Sequence, residues 1–295
     1  MKRPGMIGTM IAAAAFAALA VTAPAAGAES AAQVSEGIAL AVGRSSLTTD
    51  EKQVLIGRVE AASRAGVPVD DAEIIVTRGL ERGVGAAMLG RFLETSAQVA
   101  RQGLPVRPVL DRIEQGLSKG VPPERIDAAG KRLADGLVKA KPLVDGLLQN
   151  GLPPGPGGAK DAALESVARA GEHALSASTM QGLGEKIRAQ GQSLDQFERA
   201  VRTLSFLAGN GMPADAAERV VRAGIERGLT ERDYGRLERT VSDMVRQGRS
   251  MDEIVRAADR QAREDRIPGD GRGSGHQDRG SGGSRDAGGR GGRGR

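Results

Sequence analysis

Six arginines, Arg272, Arg279, Arg285, Arg290, Arg293 and Arg295, are spread through the last 28 residues of this 295-residue chain, among 12 glycines. Guanidinium groups on a glycine-rich segment can fork onto phosphate or carboxylate oxygens. The stretch therefore reads as an arm for an anionic polymer and supplies the candidate polyanion-binding residues. Two features weaken its claim. Asp270, Asp278 and Asp286 dilute the charge, and no aromatic side chain is present to stack on bases. A segment so poor in apolar residues cannot bury itself, so 268–295 is expected to be a disordered Gly/Arg-rich tail. A purely solubilising end is the competing reading.

Elsewhere the residues suited to chemistry are few. Asp70, Glu73 and Glu81 recur as Asp215, Glu218 and Glu226. A catalytic pair needs surroundings that push two carboxyl pKa values apart, and nothing near these six marks such a place. Asp70 and Glu73 suit the first turn of a helix, where acids favour the dipole. His173 and His276 are the only histidines, and neither has a second ligand at helical spacing. The chain has no cysteine, which removes disulfides, thiol nucleophiles and sulfur-ligated metals. Serine-nucleophile and phosphate-loop motifs are missing, and Gly182-Leu183-Gly184 alone is too little to count. The expectation is no catalytic residue, no metal, no cofactor and no enzyme; an enzyme with an unrecognised site assembled only in three dimensions is one alternative.

The N-terminus reads as an address. Lys2 and Arg3 precede an apolar run, Ile7 to Val21, and Ala26-Gly27-Ala28 fits a cleavage site. The run falls short of the roughly 20 residues a spanning helix needs. Residues 1–28 are thus expected to be a signal peptide, and the mature chain to be exported, periplasmic or extracellular, with no membrane span. The net charge of +5 resides in the two ends; residues 29–267 hold 34 basic and 34 acidic residues. A neutral body with only Phe92, Phe197, Phe206 and Tyr234 as aromatics argues against nucleic acid as a partner.

What must position any site is a duplication. Residues 66–103 align with 211–248 without a gap at an offset of 145, with 16 identities in 38 positions. Within each copy the apolar residues recur at i, i+3, i+4 and i+7, as in Ala72, Ile75, Val76, Gly79 and Ala217, Val220, Val221, Gly224. Gly79 and Gly224 lie on those apolar stripes, where close helix approach is the expected use. A glycine, an aliphatic residue and a proline recur at 66–68, 103–105, 120–122, 151–153 and 211–213. This triplet reads as a helix end, with glycine left-handed and the aliphatic folded back on the last turn. The glycines fall 17 and 20 residues apart alternately, giving a period of 37. Thr48 with Glu51, and Ser193 with Gln196, read as capping boxes at the same offset. Pro142 is expected to interrupt the helical pattern that starts at 124.

The fold class is therefore all-α: tandem helical-hairpin repeats, solenoid-like or as two helical lobes. The expected divisions are a helical repeat region at 29–150, a Pro/Gly linker at 151–159 and a second repeat region at 160–267. Repeat arrays of this type present extended surfaces to other macromolecules. The expected function is a non-catalytic binding or scaffold module of the bacterial cell envelope with a protein partner. An anionic envelope polymer, taken by the arm, is the second alternative.

Overall fold

A computed structural model describes residues 35–264. The expected signal peptide, the tail and its six arginines lie outside these residues. The described residues form twelve α-helices and no strand: α1 (Glu36–Arg44), α2 (Thr49–Arg64), α3 (Val69–Glu81), α4 (Ala86–Arg101), α5 (Arg107–Ser118), α6 (Pro123–Gln149), α7 (Ala159–Glu172), α8 (Ala177–Ala189), α9 (Leu194–Gly209), α10 (Ala214–Arg227), α11 (Glu231–Arg246) and α12 (Met251–Glu264). None of them is long and apolar enough to cross a membrane.

One hydrogen-bonding device closes every helix from α2 to α11. At Gly66 (φ 103°) the amide donates to the Ser63 carbonyl, and the Val67 amide reaches back to Ala62. These are the two bonds of the Schellman end, which satisfy carbonyls that the helix leaves orphaned. The aliphatic residue then folds inward: Val67, Leu104 and Met212 are buried, as are Val84, Leu152 and Leu229. The prolines behind Gly66 and Gly211 take the extended N-cap position of α3 and α10, one place earlier than a first helical residue. Helix starts are fixed by side chains where a hydroxyl is present. Thr48 and Glu51 form a reciprocal box, as do Thr230 with Asp233 and Ser250 with Glu253. At Ser193 the hydroxyl donates instead to the Asp195 carboxylate.

The described residues divide into two compact units between 201 and 202, a division that falls inside α9. In the first, α1 packs on α3 and α3 on α5, while α2 packs on α4 and α4 on α6. Ion pairs join helices two apart: Arg58 to Glu94 at 3.4 Å, Arg78 to Glu114 at 2.7 Å and Arg107 to Asp71 at 2.7 Å. Each spans 36 residues of sequence. The core is mainly aliphatic, with Leu55, Ile75, Leu89, Leu93, Ile113 and Leu133 essentially inaccessible and Phe92 and Phe197 as its buried phenylalanines. In the second unit α12 packs on α10 and α11, and the buried Thr203 hydroxyl donates to Glu238 at 2.7 Å.

One segment differs from what the pattern suggests. α6 runs straight through Pro142 instead of ending before it. A proline inside a helix costs about 3 kcal/mol, but Leu137, Ala140, Val144 and Leu147 on either side are buried. Burying such side chains contributes roughly 1.5–3 kcal/mol for each Leu or Val, which outweighs the lost bond. The carbonyl left without its helical donor belongs to Val138, an exposed residue that water can reach. The segment 151–159 lies within the first unit. Leu152 is buried there, and the Pro153 carbonyl accepts the Leu194 amide at 2.8 Å.

Candidate functional site

The duplicated carboxylates do not converge. Asp70 sits exposed in the first turn of α3, and Asp215 in that of α10. Arg219 donates to Asp215 at 2.8 Å, and this hydrogen bond holds the Asp215 carboxyl below its ordinary range. Arg222 does the same geometric service for Glu218, at 2.7 Å. Glu73 accepts the Ser35 hydroxyl and stands over Gly37, in the space any side chain at 37 would occupy. Glu81 and Glu226 are exposed at the last turns of their helices. His173 is exposed at the C-cap of α7.

Gly79 and Gly224 are packing positions. A Cβ on Gly79 would overlap the Leu89 side chain, and one on Gly224 would lie 2.9 Å from Leu229 Cδ1 and 3.2 Å from the Tyr234 ring. Leu89 and Tyr234 are themselves related by the 145 offset, so in each copy a large residue stands against the glycine. Burial pushes the Tyr234 hydroxyl well above the usual phenol range, consistent with a side chain used for packing. The weak Gly182-Leu183-Gly184 run serves similarly: Gly184 faces Leu147 of α6, and its Cβ would stand 3.1 Å from Leu147 Cγ.

A groove of about 480 Å³ lies between α1, α3 and the turn leading into α4. Its apolar surface comes from Leu40, Leu47, Leu80 and Val84, and Arg44 and Glu81 add charge. Leu40 is 50% exposed. The groove exists because α1 places Ile38 and Val42 against α3 and so turns Leu40 aside. A lone leucine between two stripe positions was the available sequence signal for it, outside the duplicated segment. Glu73 and Glu81 both border this groove. They lie eight residues apart on one helix, about 12 Å along its axis. The groove's volume falls within the roughly 300–1,000 Å³ of ligand clefts in general.

The six tail arginines fall outside the described residues, so their surroundings are not part of this geometry. The chain matches no model of a known protein family, and it matches no curated protein.

Proposed function

We propose that the chain is a non-catalytic binding or scaffold module built of tandem helical hairpins, with a period of about 37 residues, that docks a partner protein in the α1–α3 groove. The groove carries the reading: exposed Leu40 beside Leu47 and Leu80, bordered by Arg44 and Glu81, is a surface with apolar anchoring points and charges that can select orientation. The repeat reading is supported by the common helix end from α2 to α11 and by the packing of helices two apart. Further support comes from side-chain bonds near one period, at 38 residues for Ser35–Glu73, 36 for Arg58–Glu94 and 35 for Thr203–Glu238. Arrays held by neighbour contacts offer long surfaces to other macromolecules. Export to the cell envelope is proposed from the leader-like residues 1–28.

The test is affinity capture from envelope extract with three proteins: the full chain, a Leu40→Arg/Leu47→Arg variant and a chain ending at 267. The expected outcome is a partner held by the full and shortened chains and released by the groove variant. A partner lost only with the tail transfers the function to the arginine arm. A partner held equally by all three overturns the groove.

A further inference from the structure

We infer that a second groove, between α10 and α12, is a binding site for a phosphate-type oxyanion. This groove has a volume of about 260 Å³ and is lined by Arg219, Arg222, Ala223, Glu226, Arg227 and Arg263. Among the described residues, four guanidinium groups thus share one small concavity with a single lining carboxylate. Three of them have acidic neighbours one turn away on their own helix: Arg219 with Asp215 at 2.8 Å, Arg222 with Glu218 at 2.7 Å and Arg263 with Asp259 at 3.0 Å. A guanidinium carries five N–H donors, and one carboxylate engages two at most. Donors therefore remain on every arginine. Arg227, in the last turn of α10, is exposed.

The duplication provides an internal comparison. At the 145 offset, Arg219, Arg222 and Arg263 correspond to Ile74, Thr77 and Ser118, while Arg227 corresponds to Arg82. In the first copy Arg82 donates to the Ser118 carbonyl at 3.1 Å, and Arg78 donates to the Ser118 hydroxyl at 2.9 Å. Helices α3 and α5 pack with those neutral residues in place. Packing therefore does not require the three extra arginines. In the second copy a hydroxyl that accepts has become another cation that donates. Among the described residues three arginines have been gained against one lost, Arg78 giving way to Ala223, and an accepting hydroxyl has gone, so the balance shifts toward donors. A phosphate group supplies several acceptor oxygens and up to two charges, matching planar bidentate donors. The inference depends on neither the α1–α3 groove nor the tail.

The phosphate could belong to a free solute or to a lipid headgroup, so two probes are needed: inorganic pyrophosphate, and phosphatidylglycerol-containing vesicles set against pure phosphatidylcholine. The full chain is titrated calorimetrically at low salt. The comparison variant is Arg219→Ile/Arg222→Thr/Arg263→Ser, whose new residues are those of the folded first copy. Loss of a few charge-assisted hydrogen bonds should weaken pyrophosphate binding by about ten-fold or more, with unchanged helical circular dichroism. Replacing the six tail arginines by Gln should leave that affinity in place. If the triple variant loses helicity, Arg227→Glu, at an exposed helix end, should give a comparable loss. Vesicle binding that disappears in the triple variant identifies a headgroup; vesicles ignored while pyrophosphate binds identify a free solute. The site is overturned if the full chain binds neither probe, if the triple variant binds as tightly, or if only the tail substitutions matter.

Discussion

Ala174 ends α7 at φ 56°, and every other residue with positive φ among the described ones is glycine. Its amide and that of Leu175 make the same two bonds to Gly171 and Ala170 that the glycine-ended helices make. An L-residue held left-handed costs about 1–2 kcal/mol, so Ala174→Gly should raise stability by roughly 0.5–1 kcal/mol once the greater freedom of the unfolded chain is allowed for; a lower melting temperature would contradict the strain. The opposite manipulation applies at Gly79 and Gly224. Gly224→Ala, forced against Leu229 and Tyr234, should destabilise by about 1–3 kcal/mol. For Gly79→Ala the same loss should shrink when Leu89→Ala is added, and a double-mutant cycle in urea reads that coupling.

Two joints among the helices make further predictions. Asp145 of α6 bonds Lys141 and Lys160, and those hydrogen bonds hold its carboxyl below the ordinary 3.8. A carboxyl whose pKa is lowered on folding stabilises the fold above its unfolded value and loses that contribution as pH falls through the folded one. Melting temperature should therefore drop on acidification below about pH 4, and Asp145→Asn should flatten that part of the profile while leaving the rest. Pro142→Ala restores a donor to the Val138 carbonyl and should stabilise α6 by about 1–3 kcal/mol, read by chemical denaturation. These joints also show what the sequence could and could not convey. Glycine followed by an aliphatic marks a helix end because both halves of the device are written in residue type. Ala174 hides the same end, since only the backbone angle reveals it, although 174, 211 and 248 keep the 37 spacing. Pro142 misleads because its local cost is outweighed by burial against α7, a contact no local pattern encodes. Only Leu40 hinted at the α1–α3 groove, whose two walls stand 26 or more residues apart, and the arginine groove was out of reach because α10 and α12 must first be brought side by side.

The division of the chain at 201/202 predicts how it comes apart. Leu237, buried in α11, lies wholly within the second unit. Leu237→Ala should cost about 2–5 kcal/mol, and hydrogen exchange should show the loss in 202–264 while amides of α2 to α6 keep their protection. Uniform loss of protection across 35–264 would instead mean that the units unfold as one. With no cysteine in the chain, the covalent link from one unit to the other is the backbone of α9 alone.

The recurring helix end makes the chain editable in fixed steps. Excising 67–103 would bring Gly66 directly before Leu104 and Pro105, regenerating glycine, aliphatic and proline at the splice. The junction keeps its grammar because the turns after α2 and α4 each depend on a backbone angle and one buried aliphatic residue, Val67 or Leu104, not on which helix follows. A lineage carrying such punctuation can grow or shrink by whole hairpins through simple recombination, and a designer can do the same with one primer pair.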